Sequence, residues 1–337
     1  ANATGCTSIW GNSSPSTPYT ANKAGKGPAW SNSLFEDNAE FGYGMLLAQQ
    51  AIRDGLKAKV EEVAANENAT AEVKAACQEW LDTFGVGATN GAATDKLVAA
   101  LENVDCPTCK DIVKNKDFLA KKSQWIFGGD GWAYDIGFNG VDHVLASGKD
   151  INIMVFNTEV YSNTGGQSSK ATPTGAVAQF AAGGKEVKQK DLAAIAMSYG
   201  YVYVAQISMG ADMNQTIKAI AEAEAYPGPS LIIAYAPCIN HGIKKGMAKA
   251  QTEEKLAVQS GYWNLFRFNP AAEGKKFSLD CKPATVDYQE FIKGEVRYTY
   301  LALKNPARAE KLFAKAEQNA KDKYAYLEKL VTLYDEK

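Results

Sequence analysis

A Gly-Asp-Gly sequence between two apolar segments constrains this chain more than any other feature. Ser123 to Phe127 is a short apolar segment that leads into Gly128–Gly131, where glycines permit a tight turn and a close approach of the backbone to a ligand. A helical pattern follows from Tyr134 to Ser147, and Ile151 to Phe156 is a continuous apolar run typical of a strand covered on both faces. The spacing predicts a β-α-β unit within a parallel sheet.

Two oxygen-bearing side chains follow the strands of this unit. Because the carboxyl ends of neighbouring parallel strands meet at one edge of a sheet, we expect Asp130 and Thr158 to face one crevice. A carboxylate, a hydroxyl, a backbone carbonyl and a diphosphate would together suit Mg²⁺, and the start of a helix after Gly131 would favour an anion. The alternative is that Gly-Asp-Gly is an ordinary turn.

The same spacing resembles the thiamine diphosphate motif, in which a Gly-Asp-Gly is followed by a pair of asparagines at the end of the next strand. The second strand ends here at Asn157, 27 positions after Asp130, and Thr158 takes the place of the second asparagine. The resemblance implies that Asp130, Thr158 and the carbonyl of Val160 bind magnesium. It implies that thiamine diphosphate is bound by two segments, one of Gly129, Asp130, Gly131 and Trp132 and the other of Thr158, Glu159, Val160, Tyr161, Ser162 and Asn163.

Four longer segments resemble one enzyme family. Asn157 to Ala176, Ser33 to Met45, Ala3 to Gly11 and Ala236 to Asn240 are similar to the C-terminal part of pyruvate:ferredoxin (flavodoxin) oxidoreductase, and the likeness covers about residues 1–270. It implies that Cys6 and Cys238 hold a [4Fe–4S] cluster together with an upstream Cys-x-x-Cys pair. Taken alone, these two cysteines would be interpreted as buried free thiols.

The resemblance also implies a reaction and partners. The reaction would be the oxidative decarboxylation of pyruvate with coenzyme A to acetyl-CoA and CO₂, with electrons passed through clusters to ferredoxin or flavodoxin. No catalytic residue is assigned to this chain, because the glutamate that activates the cofactor is expected in another domain of the same enzyme. We therefore expect a fragment of a longer multidomain protein that forms a homodimer. A related enzyme for another 2-oxoacid and a non-catalytic structural module are the alternatives.

Composition excludes several other classes. With a net charge of −2 and 22% charged residues, the chain lacks the electrostatic signature of a protein that binds nucleic acid or an anionic membrane. No apolar run approaches the ~20 residues of a membrane span, and the first residues do not resemble a signal peptide. The 6 irregularly spaced cysteines suit a reducing compartment, so a cytoplasmic location is expected.

Alternating strand and helix patterns predict an α/β fold with a doubly wound, mostly parallel sheet. Residues 1–270 are expected to form the domain that binds thiamine diphosphate and Mg²⁺, with a helical insertion at 57–122. Residues 271–337 are expected to form a C-terminal appendage that ends in one long helix from Pro306 to Tyr334. Loops are expected over 161–190 and 269–283.

Four further residues allow more than one interpretation. Cys106 and Cys109 form a Cys-x-x-Cys pair that could bind zinc or act in redox chemistry, but the other half of a metal site is missing nearby, which favours a structural turn or helix start. His241 could be a general acid or a solvent-facing residue at a helix start. Asp135 could be a ligand, although a residue in the first turn of a helix is the simpler interpretation.

Overall fold

The computed structural model describes residues 1–3, 7, 21–23, 25, 27–33 and 37–335. The chain divides into two compact units, one formed by residues 43–124 and the other by residues 1–42 and 125–337. The first unit is helical and the second contains a mixed sheet, and they are named the helical unit and the sheet unit below.

The sheet unit is built on six strands. They are β1 (Trp125–Gly129), β2 (Asn152–Asn157), β5 (Tyr203–Ile207), β6 (Ser230–Tyr235), β7 (Phe266–Phe268) and β8 (Phe277–Leu279). The strand order is β1-β2-β6-β5-β7-β8, with a separate two-stranded ribbon of β3 (Val160–Tyr161) and β4 (Gln167–Ser168). Strands β1, β2, β6 and β5 are parallel to one another, whereas β7 and β8 are added in antiparallel pairing.

The register of the parallel strands decides what lies at the edge of the sheet. Gly129 pairs with Phe156, and Asn157 pairs with Tyr235. The carboxyl ends of β1, β2 and β6 are therefore side by side, and the residues that follow them enter one region.

Helices cover both faces of this sheet. The helices of the sheet unit beyond β1 are α5 (Phe138–Ala146), α6 (Leu192–Met197), α7 (Met213–Ala225), α8 (Ala250–Gln259), α9 (Tyr288–Ile292), α10 (Val296–Lys304) and α11 (Pro306–Leu333). On one face, Met154, Tyr203 and Ile232 pack with Ala219 and Ala223 of α7 in a buried cluster. On the other face, side chains of β5, β6 and α11 line a cavity of about 440 Å³. The predicted α/β class is confirmed, because the apolar runs are strands buried between two helical layers.

One local prediction was right in type but not in detail, and one was wrong. The helical pattern from Tyr134 to Ser147 is divided into a π-helix, Gly131–Ile136, and α5. The expected loop over 269–283 contains β8, and the strand just before it, β7, was not predicted. These strands have three residues each, too short for an alternating pattern to be recognised, yet they bury Phe266, Phe268 and Phe277.

The helical unit contains α1 (Asn38–Ala65) from residue 43 onward, together with α2 (Ala71–Asp82), α3 (Gly87–Leu101) and α4 (Pro107–Lys114). Its core includes Trp80, Leu97 and Ile112, all fully buried. Cys106 caps α4, since its sulfur accepts a hydrogen bond from the Cys109 amide at 3.3 Å. The interpretation of this Cys-x-x-Cys pair as a helix start is therefore confirmed.

The C-terminal residues belong to the sheet unit. The predicted long helix is present as α11, and its apolar stripe is buried at Phe313, Ala316 and Leu327. The domain division at residue 270 stays a prediction, although the sheet itself continues through β8. Among the residues that the structure describes, none of the helices combines the length and hydropathy that a bilayer span requires.

Candidate functional site

The ends of three adjacent strands open into one cavity of about 590 Å³. Asp130 follows β1, Thr158 follows β2 and Cys238 follows β6. The cavity is lined by ten of the residues named from the sequence: Gly129, Asp130, Gly131, Trp132, Thr158, Val160, Tyr161, Ser162, Asn163 and Cys238. Glu159 is not among the lining residues, and Cys6 lies outside the described part of the chain.

Three oxygen atoms converge at this edge. The Thr158 hydroxyl lies 2.8 Å from Asp130 Oδ1 and 3.1 Å from the Val160 carbonyl oxygen. Neighbouring ligands of an octahedral Mg²⁺ bound at 2.0–2.1 Å are about 3 Å apart. The hydroxyl therefore lies from both the carboxylate and the carbonyl at the spacing of neighbouring magnesium ligands, and all three groups are oxygen donors of the kind that Mg²⁺ prefers.

The Asp130 carboxylate is buried, which raises its pKa to about 7, although hydrogen bonds from Ser169 and Thr158 act in the opposite direction. Ser169 Oγ donates to Oδ2 at 2.5 Å, and the Thr158 amide donates to Oδ1 at 3.0 Å. A buried carboxylate of this kind is stabilised in its charged form by a cation.

Two glycines permit aromatic rings to pack against the motif. A Cβ on Gly131 would lie 2.4 Å from the ring of Tyr161, and one on Gly128 would lie 2.3 Å from the ring of Trp132. Both rings line the cavity. The glycines are thus required by close packing of the motif against Tyr161 and Trp132.

Cys238 lines the same cavity. It caps the short 3₁₀-helix Ile239–His241 and is 9% exposed, and its Sγ accepts hydrogen bonds from the backbone and side-chain nitrogens of Asn240, both at 3.5 Å. In iron–sulfur proteins, hydrogen bonds to the sulfurs are one of the factors that set the reduction potential of the cluster. In the described ranges of the chain, no group of three or more His, Cys, Asp or Glu side chains forms a ready-made metal site.

Glu159 is buried beside the oxygen atoms rather than facing the cavity. Its Oε2 accepts hydrogen bonds from Arg297 Nη2 at 2.7 Å, Tyr262 OH at 2.7 Å and His241 Nε2 at 3.2 Å, and its Oε1 accepts from Gln189 at 3.1 Å. Burial alone would raise the pKa of this carboxyl, but Arg297, His241 and Tyr262 outweigh it and lower the pKa to about 2. Glu159 is therefore a buried carboxylate anion.

His241 is 1% exposed, so its interpretation as a solvent-facing residue was wrong. Its Nδ1 accepts the Cys238 amide at 2.6 Å, which leaves Nε2 to carry the proton that it donates to Glu159. Both nitrogens are thus engaged within the protein. Asp135, the other alternative ligand, forms an ion pair with Lys170 at 3.1 Å and does not line the cavity.

Comparison with known proteins identifies this region. Residues 113–234 match the family model described as thiamine pyrophosphate enzyme, C-terminal TPP binding domain. Thiamine pyrophosphate is thiamine diphosphate under its other name. This part of the chain is therefore similar to a thiamine pyrophosphate-binding domain. The matched residues of this domain include Asp130, Thr158, Val160 and Ser169.

Longer relatives resemble almost the whole chain. It is 53% identical over 98% of its length to pyruvate-flavodoxin oxidoreductase from Klebsiella pneumoniae and 55% identical over 98% to pyruvate:ferredoxin oxidoreductase from Moorella thermoacetica. It is 48% identical over 95% to pyruvate dehydrogenase [NADP(+)] from Euglena gracilis. The family resemblance inferred from the sequence is confirmed. The chain spans 28%, 29% and 18% of these three relatives, respectively.

Sequence reasoning missed several residues around the binding domain. Ser169 lay within a quoted motif without a role, although a hydroxyl 11 residues after Thr158 could have been considered as a partner for the carboxylate. The apolar walls of the cavity, which include Met154, Phe156 and Ile207, were recognised only as strand residues. Arg297, 138 residues after Glu159, gave no signal in the sequence.

Proposed function

We propose that this chain binds the diphosphate end of thiamine diphosphate through Mg²⁺ held by Asp130, Thr158 and the Val160 carbonyl. The observation that carries the proposal is the set of three oxygen atoms separated by 2.8 and 3.1 Å at the carboxyl edge of the sheet. The family match over residues 113–234 supports the same cofactor independently of this geometry.

The surrounding residues have defined roles in this proposal. Asp130 supplies the negative charge that attracts the cation, and Ser169 holds its second oxygen so that Oδ1 is presented to the metal. Gly129 to Trp132 and Ser162 and Asn163 border the space for the diphosphate, and the apolar walls of the cavity exclude water from the bound cofactor. Thiamine diphosphate, when bound, supplies the nucleophilic carbon for decarboxylation of a 2-oxoacid.

We infer that the 2-oxoacid is pyruvate. The names of the relatives support this, since the Klebsiella and Moorella proteins are pyruvate oxidoreductases named for flavodoxin and ferredoxin. The proposed reaction converts pyruvate and coenzyme A to acetyl-CoA and CO₂, and the electrons pass to ferredoxin or flavodoxin. Other domains of the same enzyme would complete the active site, and we expect the enzyme to be a homodimer. Release of labelled CO₂ from 1-labelled pyruvate, compared with 1-labelled 2-oxoglutarate, tests the substrate; faster release from 2-oxoglutarate would contradict it.

We infer further that Cys238 and Cys6 are ligands of a [4Fe–4S] cluster. Support comes from the position of Cys238, which lines the cavity that Asp130 also lines, and from its sulfur, which accepts two N–H groups of Asn240. Cys6 is outside the described residues. A Cys238→Ala holoenzyme should lose iron and still bind thiamine diphosphate, whereas unchanged iron content would contradict the assignment.

The central experiment is isothermal titration of thiamine diphosphate, with and without Mg²⁺, into the holoenzyme after removal of its cofactor. Asp130→Ala is expected to weaken magnesium-dependent binding by more than about 100-fold, because loss of a direct ligand should exceed the 10–100-fold loss typical of supporting residues. Asp280→Asn is the matched control, since Asp280 lies just after β8 at the opposite edge of the sheet, where Arg267 binds it at 2.8 Å. Equal affinity of Asp130→Ala and the unchanged protein would refute the proposed function.

A further inference from the structure

We propose that Glu159 and His241 are positioning residues that fix the magnesium-binding turn and connect it mechanically to the segment that presents Cys238. The identities of the two cofactors in this inference rest on the proposed function. The hydrogen bonds that support it link residues of the two segments proposed to hold these cofactors.

The backbone of the magnesium-binding turn is strained at one residue. Glu159 stands between Thr158 and Val160, and it has a left-handed backbone with φ of 61°. That conformation is unfavourable for a residue with a side chain, so the surroundings must hold it. Its amide donates to Asn157 Oδ1 at 3.2 Å, and its carbonyl accepts from Thr172 Oγ1 at 2.6 Å. The strained residue therefore sets the direction in which the next carbonyl, that of Val160, points.

The side chain of Glu159 is anchored by several hydrogen bonds. The Glu159 carboxylate is fully buried and accepts hydrogen bonds from four side chains, which together use both of its oxygens. Arg297, also buried, is held in turn by Glu295 through a bond of 2.7 Å from Nε. A buried charge with this many partners cannot rotate without breaking several of them. The carboxylate thus acts as a fixed anchor for the turn between two proposed ligands.

The Glu159 turn is also connected to the segment that contains Cys238. A single imidazole, that of His241, spans the distance between the Cys238 amide and the Glu159 carboxylate. Asn240 provides a parallel link, because its side-chain amide approaches both the Ser162 carbonyl and the Cys238 sulfur, at 3.4 and 3.5 Å. Strands β2 and β6 are already paired, but Thr158 and Cys238 lie beyond their ends, where the sheet gives no direct support, and Val160 pairs only with β4 of the separate ribbon. The network supplies that support.

Two substitutions of His241 separate its two contacts. In His241→Asn, the side-chain oxygen can take the place of Nδ1 and accept from Cys238, while the contact with Glu159 is lost. In His241→Gln, the amide nitrogen can take the place of Nε2 and donate to Glu159, while the contact with Cys238 is lost. Both variants therefore place a side-chain amide at position 241, but one loses the hydrogen bond to Glu159 and the other loses the hydrogen bond from Cys238.

The experiment measures two quantities on each holoenzyme: magnesium-dependent affinity for thiamine diphosphate by calorimetry, and the electron paramagnetic resonance spectrum of the reduced cluster. Glu159→Gln is expected to lower the affinity about 10–100-fold, and His241→Asn up to about tenfold with an unchanged spectrum. His241→Gln is expected to change the spectrum while the affinity stays within about twofold.

Glu222→Gln is the matched control, because Glu222 also accepts from a tyrosine and an arginine, Tyr203 at 2.9 Å and Arg267 at 2.6 Å. It should leave affinity and spectrum unchanged. If Glu159→Gln does not fold, Tyr262→Phe removes one donor to the same oxygen and should still lower the affinity. A purely structural role predicts equal effects of both His241 variants, and that result would overturn the inference.

The failure of the proposed function has a different signature. If Asp130→Ala retained magnesium-dependent binding, the assignment of the cofactor would be wrong. If Asp130→Ala lost binding while Glu159→Gln, His241→Asn and His241→Gln all matched the unchanged protein, only the positioning inference would be wrong.

Discussion

The core of the helical unit and the carboxyl edge of the sheet are both buried, but they are stabilised by different interactions. In the helical unit the main buried cluster is apolar, around Trp80, Leu97 and Ile112, although Arg53 is also buried there. At the sheet edge, Asp130, Glu159 and Arg297 are buried instead. Apolar packing is stabilising in any arrangement that fills the space, whereas a buried charge is stable only where hydrogen-bond partners or an opposite charge surround it. The comparison indicates that the helical unit is built for stability and the sheet edge for the placement of particular atoms.

The largest expected effect concerns the helical core. Trp80 is fully buried and its Nε1 donates to Thr94 Oγ1 at 3.1 Å, so Trp80→Ala should lower the local stability of residues 43–124 by about 3–5 kcal/mol. Hydrogen exchange resolved by peptide would measure this loss, with the surface residue Val86→Ala as control. Because apolar packing there does not orient the ligands, magnesium-dependent binding of thiamine diphosphate should be unchanged. A parallel loss of affinity would break the distinction between the two regions.

The second prediction concerns charge and pH. Glu253 in α8 is buried, and burial together with nearby Glu295 raises its pKa from 4.5 to about 7. Lys245 and Arg297 act in the opposite direction. Since the folded state binds this proton more tightly than the unfolded state, the contribution of Glu253 to stability falls as pH rises from 4.5 to about 7.

The test is a comparison of unfolding free energies at pH 4 and pH 8 for the unchanged protein and Glu253→Gln. The variant should be more stable at pH 8, by roughly 3 kcal/mol at most, and nearly equal to the unchanged protein at pH 4. Glu290→Gln, at an exposed residue, is the control and should show no such difference. An advantage of Glu253→Gln that is greater at pH 4 would contradict the assignment.

The same contrast explains how much could be predicted from the sequence. A continuous apolar run predicted the strand β2, and periodic apolar residues predicted the helix α11, because each pattern reports a local preference and a buried face. The meeting of Asp130 and Thr158 followed from a general property of parallel strands, that their carboxyl ends share an edge. The identity of the cofactor came from resemblance and not from these patterns.

Other features depend on contacts that no local pattern records. Glu159 was included among the cofactor-binding residues because of its position in the motif, but its side chain is turned to Arg297 by a left-handed backbone. Arg297 lies in a segment that was expected to be an appendage, and nothing in the residues around it specifies a partner 138 positions away. Short strands such as β7 were missed because the rest of the sheet, rather than their own length, stabilises them.

The smallest expected effect tests whether supporting hydrogen bonds at the sheet edge influence binding more than stability. Ser169→Ala removes the hydroxyl that donates to Asp130 Oδ2, so the carboxylate can rotate away from the orientation that presents Oδ1 to the metal. We expect magnesium-dependent affinity for thiamine diphosphate to fall by about tenfold, a loss near 1.4 kcal/mol. Ser230→Ala is the matched control, because Ser230 is equally buried but donates to the Ala223 carbonyl at 3.3 Å, at the start of β6. If both substitutions lowered the free energy of unfolding alike and neither changed the affinity, Ser169 would be an ordinary buried serine. The hydrogen bonds at the sheet edge would then support stability, as the apolar packing of the helical core does, rather than the placement of ligand atoms.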